Sequence, residues 1–158
     1  MPRKPKAPPL RHDEFVFLVR QPSLTYGFRL QHDRHSDDPY YEDQSLSFEV
    51  ECLHPDRFKG RVAEVTFFAD RKLVAGSEHR SRRPEDPPKA VGSIVVGKEK
   101  FDMGGFLPPE ACWRLGAAMA AGTITSMTAG AIWIKRSHAY LQSMSWRGPE
   151  FDPVAYIG

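Results

Sequence analysis

The sequence predicts a mainly β domain, a β-sandwich or a partly open antiparallel barrel, with one α-helix at about 109–121 packed on the sheet. Three observations carry this reading. Runs that alternate apolar and polar residues recur between turn signals, at a density that suits roughly six to nine short strands. Only one segment shows helical spacing with a start and a stop. No strand–helix–strand repetition is present, so a parallel sheet with helical crossovers is poorly supported.

The elements follow in chain order. Residues 1–11 form a basic, proline-rich tail (Met1-Pro-Arg-Lys-Pro-Lys-Ala-Pro-Pro-Leu10), extended and without an apolar stretch of the kind a secretory signal needs. A single β-rich domain then occupies 12–158, a length that suits one core. Glu14 to Arg20 is a compact apolar run of strand length. Ser23 to Leu30 alternates, with Leu24, Tyr26, Phe28 and Leu30 on one face, and Gln21-Pro22 reads as a tight join between the two. Gln31 to Gln44 turns polar and acidic, which is loop chemistry. Leu46, Phe48, Val50 and Cys52 then alternate with Ser47, Glu49 and Glu51, giving one buried and one wet face. Ala63, Val65, Phe67 and Ala69 mark the next strand, with a short edge segment at Leu73-Val-Ala75. Gly76 to Lys89 is a charged, proline-containing loop, and Val91 to Gly97 and Lys100 to Met103 read as strands. Gly104-Gly105 reads as a turn.

The helix is the best-marked element. Pro108-Pro109-Glu110 places proline where a missing N–H costs nothing and an acid where the helix dipole favours it. Cys112, Leu115, Gly116 and Met119 fall on one stripe, and Gly122 sits where a left-handed cap belongs. The small residues Gly116, Ala117, Ala118, Ala120 and Ala121 suit close packing on a sheet. Beyond them, Thr123 to Lys135 and Ala139 to Trp146 form a β-hairpin around the polar turn Lys135-Arg-Ser-His138. Leu115 to Ile134 is an uncharged run long enough to span a bilayer, but Gly116, Gly122, Gly130 and its hydroxyl residues break it, so no membrane association is expected.

Functions are narrowed by elimination. A net charge of +2 over 158 residues gives no global field for nucleic acid. The basic groups that would contact phosphates are those of the tail and Arg80, Arg82 and Arg83, which makes nucleic acid a possible but disfavoured partner. Cys52 and Cys112 are too few for a disulfide framework, sit on apolar faces as packing thiols, and point to the cytoplasm. There is no Gly-rich phosphate loop, no Gly-x-Ser-x-Gly elbow and no His-Glu-x-x-His, so no cofactor is expected and no catalytic residue is assigned.

Two constellations remain. His32, His35, Asp37 and Asp38 supply imidazole and carboxylate ligands within a short span, the ligand set of a metal-dependent enzyme, against which stands a solvated acidic turn. Tyr40 and Tyr41, with Phe151 and Tyr156 of the C-terminal segment, are large residues of the kind that anchor interfaces when exposed. The favoured reading is a non-enzymatic interaction domain engaging a protein partner, or a homodimer formed through an exposed sheet edge.

Overall fold

The computed structural model describes residues 10–30, 40–70 and 92–158. Its elements are β1 (Arg11–Leu30), β2 (Tyr40–His54), a 3-10 turn (Asp56–Phe58), β3 (Val62–Ala69), β4 (Gly92–Val96), β5 (Phe101–Leu107), α1 (Pro109–Ala120), β6 (Ser126–Lys135), β7 (His138–Arg147) and α2 (Pro153–Ile157).

The strands close into one barrel in the order β1-β2-β3-β5-β4-β7-β6. This overturns the sandwich. β1 is long enough to serve as the seam: Arg11 to Leu18 pair with β6, and Val16 to Leu30 pair with β2, so the sheet closes on itself rather than splitting into two layers. The sheet also departs from a purely antiparallel one, because β3 and β5 run parallel. β4 crosses beyond the neighbouring position, and β5 returns antiparallel to it in the gap beside β3.

The two expected strands at the N-terminus are one. Pro22, which cannot donate to a ladder, sits where the β1–β2 register shifts between Val19 and Pro22, so the chain absorbs it as a bulge instead of a turn. Gly104 and Gly105 are likewise not a turn but lie within β5.

Period-two alternation fills the barrel from every strand. Phe15 and Phe17, Leu46 and Val50, Val65 and Phe67, Ile94, Met103, Met127 and Leu141 are all buried inside it. Each such side chain contributes roughly 1.5–3 kcal/mol through removal from water. The two ends are closed differently. At one, Cys112, Gly116 and Met119 of α1 are buried, and Gly116 lies against Leu24 and Leu46. At the other, Phe58 of the 3-10 turn packs with Phe15, Phe101 and Trp133. There Asp13 accepts hydrogen bonds from Arg57 and from the Trp133 indole.

The helix runs as the stripe requires, starting after Pro108 and ending before Gly122, whose φ of 72° closes it. Because α1 stops at Ala120 and Ser126 already belongs to β6, the uncharged run is a helix followed by a strand. Among the described residues no helix is long and apolar enough to cross a membrane. The C-terminal segment folds back on its own barrel: α2 packs against β1 and β2, and Tyr156 Oη donates to Glu14 Oε1 at 2.6 Å.

Candidate binding groove on the outer wall

Since neighbouring positions on a strand point to opposite sides, the register that fills the core also fixes what lies outside. One outer row runs across the strands as Ser47, Thr66, Gly104, Ser93 and Tyr140. All but the last are small, so the row is a low floor. Ser47 Oγ and Thr66 Oγ1 lie 3.2 Å apart along it. To one side the parallel pair β3–β5 sets Phe68 opposite Phe106, 47% and 58% exposed, with ring centroids 6.3 Å apart. To the other side Glu49, Glu64 and Asp102 stand in register on three successive strands.

These rows enclose a groove of about 590 Å³ whose lining includes Glu64, Thr66, Phe68, Ser93, Lys100, Asp102, Gly104, Phe106 and Tyr140. The glycines are what keep it open. A Cβ at Gly104 would stand 2.5 Å from the Thr66 carbonyl oxygen, and one at Gly92 would stand 2.3 Å from that of Gly104. Both contacts are with backbone, which cannot move aside as a side-chain end can.

The electrostatics are uneven. Like charges directly opposite on adjacent strands repel, and the Glu49–Glu64 and Glu64–Asp102 juxtapositions are of that kind. Lys100 relieves part of it: its Nζ lies 2.8 Å from Asp102 Oδ2. The hydrogen bond and charge of Asp102, with Glu64 adding to them, hold the Lys100 amine above its ordinary range and keep it an ammonium. Arg61 is engaged elsewhere, donating to the Gly97 carbonyl at 2.8 Å and lying over the Phe101 ring. The groove thus sets two carboxylates, Glu64 and Asp102, and one ammonium along one wall and two phenyl rings along the other, with Glu49 in register beyond its edge.

A protonated Lys100 is neither base nor nucleophile. Burial pushes the Cys52 thiol up to about 12 and raises that of Cys112, so neither is a thiolate at neutral pH, and both cysteines are free. A second, smaller depression of about 330 Å³ collects His12, Glu14, Thr128, Gln142 and Ser143. Of its two carboxylates, Glu14 accepts from Tyr156 Oη, and Asp13 accepts from Arg57 and the Trp133 indole.

The residues singled out from sequence are distributed as follows. His32, His35, Asp37 and Asp38 lie outside the described residues, as do Arg80, Arg82 and Arg83. Among the described residues no group of three or more His, Cys, Asp or Glu side chains is placed to hold a metal. Tyr40 and Tyr41 lie in β2, paired with Leu30 and Arg29 of β1. Phe151 and Tyr156 meet each other with centroids 5.2 Å apart, and Arg147 lies over the Phe151 ring. Sequence reasoning missed the groove because its walls come from strands far apart in the chain. The signals it offered were the double glycine at 104–105 and the wet-face phenylalanines Phe68 and Phe106.

Compared with protein-family models, with curated proteins and with solved structures, this chain finds no match in any of the three.

Proposed function

We propose that this chain is a protein-binding domain that holds an extended segment of a protein partner in the groove across β3, β5 and β4. The observation that supports this reading is the contrast between the two walls. A row of phenyl rings and a row of carboxylates flank a floor too low and too open to enclose a compact small molecule, but suited to a chain that presents different side chains to its two sides. The filled interior supports it as well: the barrel lumen is occupied by Phe15, Phe17, Phe67 and Leu141, so the outer wall is where binding space lies among the described residues. A nucleic-acid backbone is disfavoured at this wall by Glu49, Glu64 and Asp102, which repel phosphate.

The test is selection from a displayed library of random linear peptides against the full chain, followed by counter-screening on Phe68→Ser and Phe106→Ser. Both residues are exposed, so these variants should keep their fold, which a thermal melt verifies. Peptides recovered on the parent chain should lose at least about tenfold in affinity on each variant, the ~1.4 kcal/mol expected for a partly buried ring contact. Recovery of no peptide, or of peptides indifferent to both substitutions, would refute the reading.

A further inference from the structure

We propose that the groove selects partner segments in which apolar and basic side chains alternate, the apolar ones meeting Phe68 and Phe106 and the basic ones meeting Glu64 and Asp102. The inference rests on the peptide-binding reading above and names the chemistry of the partner.

The spacing of the walls fits that alternation. Phe68 with Phe106, Thr66 with Gly104, and Glu64 with Asp102 are successive outward pairs on the same two strands, so each pair stands ~6.7 Å from the next along the strands. A segment laid along the middle row crosses the strands with one wall on each side. In an extended chain successive side chains point to opposite sides, and those on one side recur every ~6.7 Å. The Phe68 and Phe106 centroids are 6.3 Å apart, so side chains at i and i+2 each face a ring while i+1 faces the carboxylates. That orientation turns the segment's backbone onto Thr66, Gly104 and Ser93, where the glycine lets it approach and the hydroxyls can pair with it. From β3 to Tyr140 on β7 the floor spans three strand intervals, ~14 Å, which is room for about four extended residues.

Charge sets the sign of the preference. Glu64 and Asp102 stand opposite each other on β3 and β5, and Glu49 continues their row on β2. Among the described residues no cation forms an ion pair with Glu64 or Glu49. A wall in which carboxylates outnumber ammonium groups attracts a basic segment and repels an acidic one. Lys100 already makes the contact expected of a partner's cation: its side chain is 74% exposed, and its Nζ reaches Asp102 from the rim. A partner's lysine or arginine therefore either takes Glu64 or displaces Lys100 from Asp102, so Lys100 acts as an internal competitor.

The experiment titrates the full chain with three synthetic heptapeptides, followed by amide shifts in nuclear magnetic resonance. One alternates leucine with arginine, the second alternates leucine with glutamate, and the third is a block isomer of the first with all leucines before the arginines. The alternating arginine peptide should shift the amides of Thr66, Asp102 and Gly104 and bind at least about tenfold tighter than either of the others. Glu64→Gln should weaken it severalfold, Lys100→Ala should tighten it, and Glu64→Lys should shift the preference towards the glutamate peptide; a thermal melt verifies the fold of each variant. About 0.5 M salt should shrink the difference between the arginine and glutamate peptides. Equal affinity for those two, or for the alternating and block forms, overturns the proposal, as does a failure of all three to bind. The displayed-library selection separates that failure from failure of the groove: recovered peptides that depend on Phe68 and Phe106 but lack the alternation leave the peptide-binding reading standing, whereas an empty selection removes both.

Discussion

Single glycines decide the shape of the outer wall. At Gly104 the missing Cβ is a matter of room between strands, with the Thr66 carbonyl oxygen 2.5 Å from where that carbon would stand. Gly104→Ala should therefore destabilise the barrel by ~1–3 kcal/mol, the usual cost of forcing atoms into a packed region that cannot relax. Gly97→Ala is the matched control: its nearest neighbours would lie at 3.7 Å or beyond, ordinary contact, and its effect should stay within about 0.5 kcal/mol. Chemical denaturation of the two variants checks this, and equal effects would show that strand spacing at Gly104 is not limiting. The sequence placed this glycine in a turn because a Gly-Gly pair before a helix is a common loop signal. Nothing local distinguishes that from a strand position pressed by a carbonyl group of another strand.

At the scale of elements, legibility followed locality. The helix start at Pro108-Pro109-Glu110, its buried stripe and its stop at Gly122 were readable because every determinant lies within the segment itself. The β6–β7 hairpin was readable for the same reason. Continuity of β1 through Pro22 was not, since a proline can end a strand or sit in a bulge, and the choice is made by the partner strand β2. The helix–barrel contact yields a graded prediction. In Gly116→Ala the new Cβ would meet Leu24 Cδ2 at 3.3 Å and Leu46 Cδ1 at 3.4 Å, movable side-chain ends. The helix also gains up to ~1 kcal/mol of propensity, so the two effects should nearly cancel. Gly116→Leu has no such room and should lose several kcal/mol or lift α1 from the barrel end, on the scale of overpacked cores. Thermal melts of both variants test this; a Leu variant as stable as the Ala variant would mean that α1 rests loosely on Leu24 and Leu46.

For the whole molecule, the inward and outward faces of the core strands were legible from alternation, whereas closure was not. The same alternating strands serve a sandwich or a barrel, and only the pairing of β1 with both β2 and β6 selects the barrel. Closure makes the molecule one cooperative body with two stoppered ends, and the Asp13 cluster tests that claim. Asp13 is an inward-facing carboxylate at the end opposite α1. It is 14% exposed and serves Arg57 and the Trp133 indole, with Arg11 Nε at 3.5 Å. Asp13→Ala leaves a guanidinium and an indole N–H without their acceptor. The cost should be ~2–3 kcal/mol, below the 3–5 of a fully buried pair because Arg57 still reaches water. Asp13→Asn keeps an acceptor and should cost less. In a single cooperative barrel this local loss must be felt everywhere. Tryptophan fluorescence, which includes Trp133 at the damaged end and Trp113 on α1, and far-ultraviolet dichroism should then shift to the same lower midpoint. A fluorescence transition that precedes the loss of strand signal would show instead that this end opens on its own, with α1 and the strands beneath it surviving as a separate unit.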